Sequence, residues 1–272
     1  MKIRNLFEAI GIHAPTQRHH YQIENIKLSE GTEFHYARWL HPKEKESPKQ
    51  FSFDEICSFR EHISPGDFCI DIGAHTGDSA IPLALAAGPN GCVLALEPNP
   101  FVYHVLEKTA RANYPELNIV TMMAAATEED GPIQFEYSDS GYCNGGRHAG
   151  MSTLQHGHMF KLEVTGINLA HELETDFSLL LPKLKFIKID TEGYDLYVIK
   201  SLSKILLKYR PYVKCEVFKK TSAEYRVKLF SFFLENNYEI HLVNGADTRK
   251  QQQLTLDDVD IQNHYDILCE PR

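Results

Sequence analysis

The sequence has no C-x-x-C pair, no apolar run of membrane-spanning length and no surplus of positive charge. Each absence removes a class of function. The six cysteines, Cys57, Cys69, Cys92, Cys143, Cys215 and Cys269, stand singly, several within apolar strand-like runs. They read as buried reduced thiols, not as metal or redox pairs. The apolar run Ala80–Ala87 falls far short of the roughly 20 residues a membrane helix needs. Residues 1–8 lack the apolar core of a signal peptide, so a cytoplasmic chain without a membrane segment is expected. With 28 Lys and Arg against 37 Asp and Glu, the formal net charge is −9. That balance argues against a nucleic-acid backbone as the main partner. Internal repeats and low-complexity tracts are also missing, and nothing sets the oligomeric state.

What is present is the makings of one α/β domain. The chain has 272 residues, 43% hydrophobic and 24% charged, enough for a substantial core without staples. Residues 1–50 read as a small N-terminal cap and not an independent domain. Strand-like stretches at 21–28 and 33–40 flank a turn at 29–32, and a charged, proline-flanked loop follows at 41–49. A helix over 52–63 leads into the rest. From residue 68 short apolar runs alternate with helical patterns: strands at 68–72, 92–96 and 118–123, helices at 76–87 and from Pro100 to about Tyr114, with Asn99 as N-cap. After a break the alternation resumes with strands at 185–189, 212–218, 238–243 and 265–269 and helices at 195–208 and 222–236. This rhythm predicts a mostly parallel, seven-stranded sheet with helices on both faces. The interruption, 138–150, is dense in Gly, Ser, Asn and Asp, and reads as a candidate substrate lid or a surface loop.

The chemistry gathers at the ends of the first two core strands. Asp71-Ile72-Gly73-Ala74-His75-Thr76-Gly77 places a glycine turn between a strand and a helix start. Glycine lets a ligand approach the backbone, and a helix N-terminus offers unpaired N–H groups to it. Asp71 can receive an ammonium group. Glu97 ends the next strand, where an acid can hold both ribose hydroxyls. NAD and S-adenosylmethionine (SAM) both carry that ribose. A dinucleotide fingerprint would have a middle glycine where His75 stands, and no Tyr-x-x-x-Lys pair is present. SAM is therefore the favoured cofactor. An NAD(P)-dependent oxidoreductase and a non-catalytic SAM-binding module remain the alternatives. Ala125, in Met122–Ala126, offers small apolar surface for an adenine ring, or ordinary core.

Three linked motifs resemble the FkbM family of SAM-dependent methyltransferases: Asp71-Ile72-Gly73-Ala74, Glu97-Pro98-Asn99, and Lys188-Ile189-Asp190-Thr191-Glu192-Gly193. The resemblance spans residues 67–216. It implies a class I Rossmann-like methyltransferase fold over 51–272. It also implies O-methylation, with polyketide or sugar hydroxyls as usual acceptors. Asp71, Gly73, Ala74, His75, Gly77, Glu97 and Pro98 would then surround the cofactor. This chain departs from the family at His75, where a small polar residue, often asparagine, is usual, and at Tyr194-Asp195, where Ala-Glu is.

Methyl transfer needs in-line alignment, and an alcohol must also lose its proton. Asp190, ending the fourth core strand with Lys188 two residues earlier on the same face, is the first candidate for base or metal ligand. Glu216, near the end of the fifth strand, is its expected support, by analogy of place with catechol-type enzymes that bind a divalent metal; Mg²⁺ would suit such oxygens. His75 is a secondary candidate base. Glu192 reads either as part of the site or as an acid at a helix start. His156-x-His158 lacks a third metal ligand nearby and reads as loop. Asp190-Thr191-Glu192-Gly193 stands where a base-methylating enzyme would carry an Asn-Pro-Pro-Tyr type segment, so a small-molecule or carbohydrate acceptor is expected.

Overall fold

Strand β1 (Tyr21–Lys27) and strand β2 (Glu33–Trp39) form an antiparallel hairpin with Tyr21 opposite Trp39. The structure, a computed structural model, describes residues 16–137, 141, 145–146 and 160–272. The proline-flanked loop expected at 41–49 contains a short helix, α1 (Pro42–Glu46). Pro42 at its first turn and the His41 ring, which accepts from Lys43 N at 3.2 Å, start it. Helix α2 (Phe53–Arg60) begins where Ser52 Oγ accepts from Glu55 N at 3.1 Å.

Next come β3 (Phe68–Ile72), α3 (Ala80–Ala87), β4 (Cys92–Leu96), α4 (Pro100–Ala112) and β5 (Ile119–Met122). Helix α3 starts later than the sequence suggests. His75 and Gly77 hold φ of +48° and +93°, which no helix accommodates, and the Ser79 hydroxyl serves Asp71 instead of capping. The expected helix N-terminus directly behind Gly73 is therefore replaced by a longer turn. Strands β6 (Ala125–Thr127), β7 (Gly131–Tyr137), β8 (Gly145–Gly146) and β9 (Phe160–Asn168) build a separate four-stranded sheet in the order β6-β9-β7-β8. Its buried residues include Ala125, Phe135, Tyr137, Phe160 and Val164. The candidate lid at 138–150 lies outside the described residues except for Gly141 and the backbone of β8. Cys143, His156 and His158 lie outside them too, while the other five cysteines are free thiols.

Helix α5 (Leu169–Thr175) then leads to β10 (Leu184–Ile189), α6 (Asp195–Ser201), α7 (Ser203–Tyr209), β11 (Tyr212–Val217) and α8 (Ala223–Glu235). The single helix expected over 195–208 is divided at Leu202. Ser201 Oγ donates back to Val198 O at 2.7 Å, a local bond that competes with helix continuation. Strands β12 (Tyr238–Val243), β13 (Gln253–Leu254) and β14 (Tyr265–Pro271) finish the chain.

The main sheet has the order β13-β12-β14-β11-β10-β3-β4-β5. Strands β5, β4, β3, β10 and β11 run parallel; β14 is antiparallel to both β11 and β12. The seven-stranded expectation is corrected to a mixed sheet of eight. The extra strand, β13, pairs with β12 and covers its open edge, with Leu254 buried beneath. On β3, Phe68, Ile70 and Ile72 pack with α6, α7 and α8, and Cys69 packs with α2 and α3 on the opposite face. Burial on both faces explains the uninterrupted apolar runs of the parallel strands.

The hairpin packs back on this body. Ala37 and Trp39 sit against Val102 and Val105 of α4, and the Tyr36 hydroxyl lies 2.5 Å from Thr76 Oγ1 in the turn after β3. None of the described helices is long and apolar enough to cross a membrane.

Candidate functional site

The chain crosses from one half of the sheet to the other between β3 and β10, and ligands in open α/β sheets bind at the carboxyl ends there. Gly73, with φ of +82°, forms the turn at this crossing, and its N–H donates to Leu96 O at 3.0 Å. A Cβ at this position would collide with the carbonyl oxygen of Asp190. Asp190 N in turn donates to Ile72 O at 3.0 Å. Only glycine lets the two strand ends close up so tightly.

Glu97 lies across the turn. Its Oε2 accepts from His75 N at 3.0 Å and its Oε1 from Asn99 N at 2.9 Å. Burial pushes its carboxyl up to about 7, against those two backbone donors. Each oxygen keeps a second lone-pair direction, so the group remains able to accept from a ligand.

Behind the turn Lys188 ties two carboxylates together, lying 3.4 Å from Asp71 Oδ1 and 3.3 Å from Asp190 Oδ2. Ser79 Oγ donates to Asp71 Oδ2 at 2.7 Å. Asp71 is fully buried, and burial raises its pKa despite Lys188 and Ser79. The Asp190 side chain is 44% exposed. Desolvation works against its ionisation, but Lys188 and then Lys214 outweigh it and hold the carboxyl below its ordinary value.

The remaining walls come from segments distant in sequence. Glu44 and Lys49 border the cleft from the N-terminal segment, Phe135 and Tyr137 from the second sheet, and Glu192 and Tyr194 from the turn before α6. Lys49 Nζ pairs with Asp78 Oδ2 at 2.9 Å. His75 has its ring 5.8 Å from that of Trp39, and its buried Nε2 has no hydrogen-bond partner among the described residues. Burial, then the nearby Lys49 charge, pull its pKa down to about 4.

Of the residues expected at a cofactor, Gly73, His75, Glu97, Pro98 and Ala125 border one cleft together with Asp190. Three others do not. Asp71 is sealed beneath the turn, in the hands of Lys188 and Ser79. Ala74 faces the core with Ala80 and Leu83. Gly77 is a packing glycine: a Cβ there would stand 3.1 Å from Leu106 and Thr109 side-chain carbons on α4.

Glu216 also fails to border the cleft. Its Oε1 lies 3.3 Å from His264 Nε2, and burial, then the repulsion of Asp190 and Asp195, push its carboxyl up to about 10. Asp190 and Glu216 thus pair with different nitrogens, Lys188 Nζ and His264 Nε2, and nothing among the described residues supports Mg²⁺ between them. Among the described residues, three groups close enough to share a metal ion occur at Glu239, His241 and Glu270, on β12 and β14. There Arg272 and Lys250 already pair with the two acids. Lys49, Glu44, Phe135 and Tyr137 were not foreseen. The strand-like stretch 133–137 and the alternation of Phe160, Leu162 and Val164 signal strands of the second sheet, but nothing local marks which residues reach the cleft.

A family model described as the methyltransferase FkbM domain matches residues 71–240. Comparison with curated proteins gives no match. Among solved structures, the methyltransferase FkbM from Methylobacillus flagellatus KT is similar at 14% identity and a TM-score of 0.49, over 76% of this chain and 44% of that one. This chain therefore spans less than half the length of that relative. A SAM-dependent O-methyltransferase from Thermotoga maritima is similar at 12% identity and a TM-score of 0.44, over 91% of this chain and 77% of that one. Aeropyrum pernix fibrillarin, solved with natively bound SAM, has 12% identity and a TM-score of 0.43, over 94% and 96% of the two chains. The family match covers more than half of the sequence and contains the Gly73 turn, Glu97 and Asp190: the chain belongs to the FkbM family of methyltransferases.

Proposed function

We propose that this protein transfers the methyl group of SAM to a hydroxyl of a small-molecule or carbohydrate acceptor. The observation that carries this is the convergence of the Gly73 turn, Glu97 and Asp190 on one cleft at the crossing between β3 and β10. The residues present fit the cofactor. Glu97 is buried with acceptor capacity to spare for two ribose hydroxyls. Ala124, Ala125 and Ala126 with Phe135 offer an apolar seat for a base. Lys49, the one lysine or arginine among the described residues bordering the cleft, is placed for a carboxylate. When bound, SAM supplies an electrophilic methyl on a sulfonium.

Asp190 is the exposed carboxylate of the Lys188 network and stands beside the acceptor hydroxyl in this reading. Held below its ordinary pKa, it is a fixed negative charge and a weak base. His75, neutral and weakly basic, shapes the turn. Residues 51–272 form the cofactor-binding unit. Residues 1–50 act as a cap in this reading, and Glu44 and Lys49 of its described part contribute a wall to the cleft, supported by the Lys49–Asp78 pair.

Calorimetric titration with SAM and, separately, with NAD tests the reading. Saturable binding of SAM alone is expected, and transfer from labelled SAM to members of a hydroxyl-acceptor panel should follow. Binding of NAD in preference to SAM would favour the oxidoreductase, and SAM binding with no transfer would favour a binding module.

A further inference from the structure

We propose that Glu192 is the carboxylate that receives the acceptor hydroxyl and takes its proton, with Asp190 beside it. The inference rests on the methyl-transfer reading and adds a residue to it.

The acids of the cleft are not equivalent. Glu97 is fixed by the N–H groups of His75 and Asn99, and Asp190 is paired with Lys188. Glu192 is half-buried at the cleft wall and makes no hydrogen bond or ion pair among the described residues. Its backbone is held at φ +55° and followed by Gly193 at +100°. A left-handed non-glycine residue is strained and persists only where its surroundings enforce it. They do so here: Asp195 Oδ2 accepts from Thr191 Oγ1 at 2.8 Å and from Gly193 N at 3.3 Å, lacing the turn from below. The turn thus delivers a carboxylate with free lone pairs to the cleft, next to Asp190.

The groups facing Glu192 tune it. Burial, then the Asp190 charge, push its carboxyl up to about 7, against Lys219 and Lys220 from the segment after β11. Glu216 on β11 interacts with it as well. A base poised near the working pH is ionised in a useful fraction and still wants a proton. In the transfer the O–H proton passes to the Glu192 carboxylate and the acceptor oxygen takes the methyl. The electron pair of the carbon–sulfur bond stays on sulfur, leaving a neutral thioether.

A test that needs no acceptor uses carboxyl-labelled glutamate and NMR titration of the wild-type protein and E192Q, each with SAM and with S-adenosylhomocysteine. One resonance with a midpoint near 7 should vanish in E192Q, which separates it from Glu97. In the wild type its midpoint should be lower by about one pH unit with SAM than with S-adenosylhomocysteine, because only SAM carries the sulfonium charge. Equal midpoints in the two complexes would place Glu192 away from the reacting methyl and overturn the assignment alone. Failure of both ligands to bind would overturn the methyl-transfer reading and the assignment with it. With an acceptor in hand, E192Q should lose about 10²–10⁴-fold in kcat together with the acid limb of the pH profile, and E192D should recover part; undiminished turnover in E192Q refutes the role.

Discussion

Lys49 and Asp78 form an ion pair at 2.9 Å that fastens the segment before α2 to the turn after β3. Lys49 gains basicity chiefly from Asp78. Burial works against Asp78, yet Lys49 and His75 hold its carboxyl down at about 2. The pair puts one positive charge on the wall of a cleft otherwise lined by Glu44, Glu97, Asp190 and Glu192.

Lys49→Met should therefore weaken SAM binding by about tenfold or more, the scale of one charge-assisted hydrogen bond. The analogous change at Lys27, which pairs with Glu33 on the exposed hairpin, should leave the affinity unchanged. Calorimetry on the two variants makes the comparison. Equal affinities would remove Lys49 from the cofactor site.

Asp190→Asn keeps the shape of the strand end and leaves Lys188 paired with Asp71. SAM affinity should stay within about twofold. Turnover should fall on the order of a hundredfold, as expected when the fixed negative charge beside the reacting oxygen and its base is lost. Single-turnover rates with saturating SAM separate the two effects, and an unchanged rate would exclude Asp190 from the reaction.

The parts of this site that could be read in the sequence are those whose signals are local. Gly73, Glu97 and Asp190 each follow an apolar strand directly, so strand register alone delivers them to the same edge. Asp71 looked equivalent, but residue type cannot tell a carboxylate facing a cleft from one facing Lys188 and Ser79 inside the protein. Gly77 failed similarly: its reason lies in Leu106 and Thr109, about thirty residues away along the chain. Lys49 and Tyr137 reach the cleft only through tertiary packing of segments with no motif of their own. Strand β13 is two residues long, too short for any periodic pattern to announce it.

Gly73→Ala should be among the most damaging single-methyl changes available. It adds a Cβ against the Asp190 backbone at a φ of +82°, where neither neighbour is a flexible side chain. A loss of about 3 kcal/mol or more is expected, with SAM binding abolished. Gly131→Ala is the control. Its φ is +145° but nothing lies within 4 Å, so conformational strain alone applies, at about 1–2 kcal/mol. Denaturant midpoints for the two variants should differ in that order; a milder effect at Gly73 would mean that the two strand ends can separate freely.

His75 is held at a φ of +48°, a conformation in which His, Asn and Asp are enriched over other non-glycine residues. Asparagine, the usual family residue at this position, should therefore fit the turn. Burial keeps the folded imidazole at about 4, well below its ordinary 6.5. Between those values the unfolded chain binds the proton and the folded one does not, so this group's stabilising contribution is complete above about 6.5 and is lost as pH falls toward 4. At pH 5 the loss should be about 1–2 kcal/mol relative to pH 7. His75→Asn lacks the titrating group and should be the less acid-sensitive protein by that amount, while shared contributions from Glu97 and Glu192 cancel in the comparison. Denaturation of both proteins at pH 7 and pH 5 measures the difference, and parallel losses would show that His75 is as accessible to protons when folded as when unfolded.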